Sequence, residues 1–392
     1  MNILLLAPHP FYQERGTPIA VDLLLEALSR RGDHVDVLTY HEGADVAHPN
    51  VTIHRIKAPP FVHRVPPGPS WKKIVCDLYL AAAALRLARR NRYDVVHAVE
   101  EAAFIALRLK RRCRLPYLYD MDSSMPRQIV EKFPLLRPLG APMRWLESRA
   151  VRGAAAVVAM CDALADLARS EGARRAFILR DVSLLDPAPP GTPETLRQDL
   201  GIQGPCFMYV GNLERYQGID LLLESFATVA IEVPTARLVI AGGNDADLAR
   251  YREVVDNLGL TQSVHFLGPQ PLQRLTGLLA EADILVSPRI KGNNTPMKIY
   301  SYMHAGKAIL ATDLPTHTQV LNASVALLAP PDPSPFADAM CRLATDPALR
   351  AQLGTHARER AQKRHSRESF TRAANELWSW VEQEVVSARP VL

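Results

Sequence analysis

The stretch that most constrains the fold is Ser287 to Thr312, SPRIKGNNTPMKIYSYMHAGKAILAT. Ile284 to Ser287 is an apolar run of strand length, stopped by Pro288. Arg289 to Pro296 is a polar loop holding Gly292 and two asparagines. Met297 to His304 reads as a helix closed by Gly306, and Ala308 to Thr312 is a second apolar run. Strand, loop, helix, strand is the repeating unit of a parallel sheet, whose neighbouring strands need a crossover between them. Ligands of open α/β sheets bind beyond the carboxyl ends of the strands, where loops meet helix N-termini. This loop lies at such a point and carries Arg289 and Lys291, with Lys298 just beyond. Two readings fit: a phosphate site, or a solvated βα loop with incidental cations.

The same rhythm runs through both halves of the chain. In the first half, Asn2 to Ala7 is a continuous apolar run, as in a strand buried on both faces. Pro8-His9-Pro10 stops it, and a loop with Gly16 and Thr17 leads into a helical pattern from Ile19 to Arg31, ended by Gly32. Val35 to Thr39 is the next strand. GxGxxG is absent, so the dinucleotide fingerprint is not met; Gly16 either admits close approach of a ligand or simply makes a turn. Further strands are expected at Asp94 to Ala98, Tyr117 to Asp120 and Val157 to Met160. Glu100 and Glu101 follow the first of these. Asp120 and Asp122 end the second, where catalytic groups of such sheets collect, although Asp122 or Ser123 equally suits a helix cap. Trp71 to Arg92 reads as a long helix with Trp71, Ile74, Leu78 and Leu85 on one stripe and many basic residues. Following the proline-rich Pro59 to Pro69, it suits either a cover for the sheet or a surface lying on a membrane.

Arg180 to Pro205 holds several prolines and no long apolar run, and reads as a linker. A second series follows, with strands at Cys206 to Gly211, Ala236 to Ala241, Val264 to Leu267, the opening stretch, and Ala326 to Leu328. Helices are expected at Ile219 to Val229, Leu248 to Leu258 and Leu272 to Ala280. The loops between them include Asn212 to Gly218, Gly242 to Asn244 and Asp313 to Gln319. The expected division is an N-terminal Rossmann-like domain over 1–183, a linker over 184–204, a C-terminal Rossmann-like domain over 205–365, and a C-terminal helix and tail over 366–392. At 392 residues and 48% apolar, each half can build a core. A net charge of +5 is too small to argue for nucleic acid. Five scattered cysteines without a CxxC pair argue for a reduced compartment and against zinc. No window of about 18 apolar residues is present, so a cytoplasmic chain is expected.

The second half resembles the donor domain of GT-B glycosyltransferases of family GT4. VGNLERYQGIDLLLESF is similar to that domain's opening strand, loop and helix. LVIAGGNDADLARYREVVDNLGLTQSVHFLGPQPLQRLTGLLAEADILVSPR is similar to its next block, and TPMKIYSYMHAGKAILATDLPTHTQVL to the segment holding the E-x7-E motif. The first half fits through NILLLAPHPF, Gly16, RRGDHVDVLT, DVVHA and WLESRAVRGAAAVVAMCDAL. The resemblance implies an α/β GT-B fold, two Rossmann-like domains facing a central cleft, the first binding the acceptor and the second the nucleotide sugar, with a C-terminal helix crossing back to the first. It implies a hexosyltransferase-type enzyme that moves sugar from a nucleotide-diphosphate donor to an acceptor hydroxyl with retention, without a metal or other cofactor. The leaving diphosphate would be neutralised by cations, amides and a helix dipole. The acceptor would be a lipid-linked or saccharide intermediate, with peripheral contact at the inner membrane face through Phe61 to Arg92.

Carried onto this sequence, the donor group is Gly16, Thr17, Asn212, Arg215, Gln217, Gly243, Arg289, Asn293, Asn294, Thr295, Pro296, Met297, Lys298 and Ser301. The catalytic candidates are Asp122, Asp120 and Lys298. The departures are specific. Asn293 and Ser301 stand where the family has its two glutamates, Asn212 and Gln217 where it has Arg and Lys, and Asp122 where it often has His. These substitutions leave open a catalytically silent protein that binds sugar or nucleotide within a glycan-assembly complex, or a GT-B relative of another class such as an epimerase or phosphorylase.

Overall fold

Apolar runs of four to six residues cannot reach helix length, and bounded by proline, glycine or charge they form buried parallel strands. The computed structural model describes residues 1–13, 16–66, 68, 70–183, 185, 196–292 and 295–388. The chain divides into two units, Met1–Arg180 with Phe370–Leu392, and Asp181–Ser369.

The first unit holds β1 Asn2–Ala7, β2 His34–Thr39, β3 Val51–Arg55, β4 Val95–Val99, β5 Tyr117–Met121, β6 Ala156–Ala159 and β7 Ala176–Ile178. They form one parallel sheet in the order β3-β2-β1-β4-β5-β6-β7. The helices are α1 Gly16–Arg31, α2 Trp71–Arg90, α3 Ala102–Cys113, α4 Met125–Lys132, α5 Gly140–Gly153 and α6 Asp162–Ser170. Leu4, Leu6, Leu38, Val96, Ala98, Tyr117, Tyr119 and Val157 from alternate strand positions make one core with Leu80, Ala84, Ala103 and Ala106 of α2 and α3. Each fully buried Leu or Val contributes about 1.5–3 kcal/mol.

The second unit holds β8 Cys206–Val210, β9 Arg237–Ala241, β10 Val264–Gly268, β11 Ile284–Ser287, β12 Ala308–Thr312 and β13 Leu327–Ala329, parallel in the order β10-β9-β8-β11-β12-β13. Its helices are α7 Leu196–Asp199, α8 Ile219–Glu232, α9 Asp245–Asn257, α10 Leu275–Glu281, α11 Lys298–Ala305, α12 Pro315–Thr318, α13 Pro333–Thr345 and α14 Pro347–Arg364. The two faces of the sheet bury separate layers. Phe207, Tyr209, Leu238, Ile240 and Val286 point to one, and Cys206, Met208, Val239, Leu285 and Ile309 to the other. The final helix, α15 Arg367–Trp380, belongs from Phe370 onward to the first unit, where the buried Trp378 lies 5.8 Å from the His97 ring. Arg31 of that unit donates to Ser379 Oγ at 3.0 Å.

Several elements depart from the sequence reading. β3 and β7 were not expected: both are short edge strands, β3 (VTIHR) broken by polar residues and β7 (AFI) only three residues long. The loop expected at Asp313 to Gln319 contains α12, and the helix expected from Leu272 begins as a 3-10 turn, Leu272–Arg274. Leu196 and Ile202, within the stretch read as a linker, pack in the core of the second unit. α2 divides the expected stripe: Trp71, Ile74 and Leu78 are at least 60% exposed, Leu85 is half-buried against the core, and Lys73, Cys76, Leu80 and Ala84 face the sheet.

Candidate functional site

In each unit the strand order reverses beside the first strand, between β1 and β4 and between β8 and β11. At such a switch point the crossovers leave opposite faces, so a crevice opens past the carboxyl ends. The first unit has a pocket there, and the second has one beside it, past the ends of β8, β9 and β10.

The pocket of the second unit, about 420 Å³, is lined by the ends of β8, β9 and β10, with Gly211, Asn212, Gly243, Asn244 and Gln270 among its walls. Glycine is dictated at two of these turns. Gly242 has φ +118, and a Cβ there would lie 2.0 Å from the Gly211 carbonyl oxygen. Gly211 has φ +149, and its missing Cβ is where the Lys298 ammonium sits, 2.9 Å from the ideal Cβ position. Lys298, at the start of α11, donates to Gln217 Oε1 at 3.4 Å and lies 3.8 Å over the Tyr209 ring. Both partners are neutral. Burial, followed by the charge of Arg289, holds its pKa well below the usual lysine range. An anion placed beside it would act in the opposite sense.

Arg289 lies 5.1 Å over the Tyr216 ring, and its Nε donates to the Lys291 carbonyl at 2.7 Å. A buried polar chain holds its backbone. Thr312 Oγ1 donates to the Arg289 carbonyl at 2.5 Å, and His317 Nδ1 lies 3.0 Å from both Thr312 O and Oγ1. Ser287 Oγ lies 2.9 Å from His317 Nε2. With the Thr312 hydroxyl hydrogen given to Arg289, the consistent tautomer carries its proton on Nδ1 and accepts from Ser287 at Nε2. Burial pushes the His317 pKa down to about 4, which keeps that ring neutral. These three residues position the arginine loop and were not singled out in the sequence. Their signal was indirect: polar residues at the ends of two apolar strands.

The pocket of the first unit, also about 420 Å³, lies past β1 and β4. Its polar lining is His9, Gln13, Thr17, Ser70, Lys73, Asp77, Glu100, Glu101, Ser123 and Gln128, with apolar walls from Val65, Ile74, Met125 and Ile129. Lys73 is paired with Glu101 and lies 3.9 Å from Glu100. Burial opposes the Lys73 charge, but Glu101 and Glu100 outweigh it and raise its pKa. Tyr40 OH donates to Asp77 Oδ1 at 2.5 Å. Burial, then the Glu101 charge, raises both Asp77 and Glu100 to about 7. Glu100 has φ +47, a left-handed backbone that costs a non-glycine residue about 1–2 kcal/mol. Its N–H donates to the Asp120 carbonyl at 2.9 Å, which holds it there.

The sequence-derived candidates fall as follows. Lys298, Gln217, Gly211 and Asn212 are brought together, with Pro296 and Met297 opening α11 and Gly243 in the pocket wall. Thr295 and Ser301 are buried, and Arg215 is exposed on the 3-10 turn Arg215–Gln217. Asn293 and Asn294 lie outside the described residues. Gly16 and Thr17 line the pocket of the first unit. Asp120 Oδ2 lies 2.9 Å from His97 Nε2 on the neighbouring strand. Asp122 is partly buried between β5 and α4, whose N-cap is Ser124 and not Asp122 or Ser123.

Comparison with known proteins matches residues 15–179 to the family described as Glycosyl transferase 4-like domain, and residues 193–360 to Glycosyl transferases group 1. A D-inositol 3-phosphate glycosyltransferase of Corynebacterium jeikeium is 30% identical over 196 residues, 47% of this chain and 46% of that one. A mannosylfructose-phosphate synthase of Agrobacterium fabrum is 33% identical over 107 residues, 26% of this chain and 24% of that one. The chain matches about half the length, or less, of these curated relatives. Among solved structures, a sucrose-phosphate synthase from Thermosynechococcus elongatus superposes with TM-score 0.79 at 21% identity, covering 97% of this chain and 99% of that one. HepE of Anabaena, solved in complex with UDP-glucose, superposes with TM-score 0.74 at 19% identity, covering 97% and 99%. With its two halves matched by the two family descriptions and its two doubly wound sheets by these neighbours, the chain belongs to the GT4-like glycosyltransferases of the GT-B fold.

Proposed function

We propose that this protein is a hexosyltransferase that moves sugar from a nucleotide-diphosphate donor to an acceptor hydroxyl with retention of configuration, without a metal. The observation that carries this reading is Lys298, an ammonium placed against Gly211 with neutral partners only among those described. Developing charge on a leaving diphosphate would be met there by Lys298, Arg289, the exposed Arg215 and the N-terminus of α11. The neighbour HepE was solved with UDP-glucose, which supports a nucleotide sugar as donor.

The acceptor site in this reading is the pocket of the first unit, with Asp122 near its rim and a lipid-linked or oligosaccharide acceptor. The outward stripe of Trp71, Ile74 and Leu78 supports a lipid surface beside it, since Ile74 also lines the pocket. Phe61, 91% exposed, and the basic residues Arg86, Arg89 and Arg90 suit an anionic membrane face. Among the described residues no helix is long and apolar enough to cross a membrane.

The test is nucleoside-diphosphate release from a panel of UDP-, GDP-, ADP- and TDP-sugars with lipid-linked and oligosaccharide acceptors, followed by NMR of the product's anomeric centre. Acceptor-dependent release with retained configuration is expected; an inverted product removes the retaining step. Ser301 and Asn293 in place of the family's glutamates favour a second reading, a silent glycan-assembly protein. Nucleotide binding without acceptor-dependent release would establish that one instead.

A further inference from the structure

The two pockets differ in what their charges already do, and the difference bears on the acceptor. In the second unit Lys298 faces neutral partners. In the first unit Lys73 is the one Lys or Arg among the described lining residues, and it is paired with Glu101 and near Glu100. Asp77 adds a third carboxyl group.

We propose that the pocket of the first unit selects an uncharged polyhydroxylated sugar as acceptor and discriminates against one carrying a phosphate beside the reacting ring. This rests on the transfer reading above and assigns its acceptor class. The strongest support is His9. It is about nine-tenths buried and lines the pocket, and both its ring nitrogens lack a hydrogen-bond partner. Its backbone is pinned, since its N–H donates to the Ala7 carbonyl at 2.8 Å and its carbonyl accepts from Thr39 Oγ1 at 2.6 Å. Burial, then Lys73, drives its pKa down to about 3, so the ring is neutral and offers one donor and one acceptor. A sugar hydroxyl supplies both complements, whereas a phosphate supplies acceptors only.

The rest of the lining agrees. Gln13, Thr17, Ser70, Ser123 and Gln128 are neutral groups that bond hydroxyls in either sense. Asp77 and Glu100, both shifted to about 7, exchange donor and acceptor roles near neutral pH. Helix ends add little for an anion. The N-terminus of α3 has Glu101 as its N-cap, and that of α4 is met by Glu147, which accepts from the Met125 N–H and Ser124 Oγ. The N-termini of α1, at Gly16 and Thr17, and of α2, where Ser70 already caps the Lys73 N–H, oppose this trend. A phosphate would have to take Lys73 from Glu101 or sit against like charge.

The experiment uses the full chain and matched probes: glucose with glucose 6-phosphate, mannose with mannose 6-phosphate, and inositol with inositol 3-phosphate. Binding is read by saturation-transfer NMR, and turnover by nucleoside-diphosphate release. Each neutral sugar is expected to outcompete its phosphorylated partner by about tenfold or more. Glu100→Gln should narrow that gap, and His9→Phe should weaken the neutral sugar, both with the native circular-dichroism spectrum retained at the assay temperature. Equal or tighter binding of the phosphorylated sugars to the unmodified protein, or a gap that Glu100→Gln leaves unmoved, overturns the proposal. Sugar binding is read without transfer, so loss of nucleotide binding or release would count against the transfer reading alone.

Discussion

Lys298 and Lys73 show how partners decide the role of a partly buried cation. Lys73 is matched by carboxylates and keeps its charge, whereas Lys298 is matched by an amide and a ring and is biased toward losing it. The carboxyl groups beside Lys73 give a pH signature. The folded protein keeps the protons of Asp77 and Glu100 up to about 7, while the unfolded chain releases them near 4. Between those values the native state binds more protons, so these groups lower stability as pH rises through the window. Glu100→Gln removes one of them, and its melting temperature relative to the unmodified protein is expected to rise from about pH 4 to about pH 8. A constant difference would contradict the shift. Asp122→Asn is expected to leave nucleotide and acceptor affinity in place but lower turnover, measured as kcat; equal turnover would leave Asp122 a local structural role at the β5–α4 junction. At this scale the sequence marked Arg289, Lys298 and Glu100 by their places beyond strand ends, and Gln217 through the family resemblance. It did not mark His9, Asp77 or His317, because nothing local says which buried polar groups lack partners or hold a neighbour's backbone.

Elements were read well where pattern alone decides them. β1, β8, β11 and β12 are apolar runs, and β4 and β5 are interrupted only by His97 and Asp120; their bounds agree with the structure to within a residue or two. The edge strand β3 is broken by polar residues and β7 is only three residues long. Which face of α2 meets the sheet was left open for a physical reason: Lys73 is acceptable inside because Glu101 and Glu100 await it, and that pairing spans distant sequence. The outward stripe then needs an account. Replacing Trp71, Ile74 and Leu78 with serine is expected to lower co-sedimentation with anionic phosphatidylglycerol vesicles at least about tenfold, since each exposed apolar side chain is worth about 1.5–3 kcal/mol when buried. Equal sedimentation would leave the stripe without a membrane role. The glycine turn past β9 carries a sharper expectation. Gly242→Ala puts a methyl group against the Gly211 carbonyl at positive φ, so nucleotide binding and the melt should both suffer. A cost of roughly 1–3 kcal/mol is expected from overpacking, and a melt unchanged by calorimetry would contradict the close approach.

Across the whole molecule, two doubly wound units repeat one topology, and each opens a pocket past the carboxyl ends of its strands. That duplication was visible in the sequence as two series of apolar runs, and family resemblance identified its kind. An acceptor-binding first half and a nucleotide-sugar-binding second half are what the resemblance implies; which charges meet inside each pocket was not visible in the sequence. The central claim is that the second unit gathers a diphosphate through Lys298 where β8 ends. Calorimetric titration of nucleoside diphosphates into the unmodified protein and Lys298→Ala tests it most directly. The expected result is a nucleotide that binds the unmodified protein and is weakened by roughly 1.5–3 kcal/mol, about 10- to 150-fold, in the variant. Equal affinity in the two proteins, or no binding of any nucleoside diphosphate to the unmodified one, would contradict it.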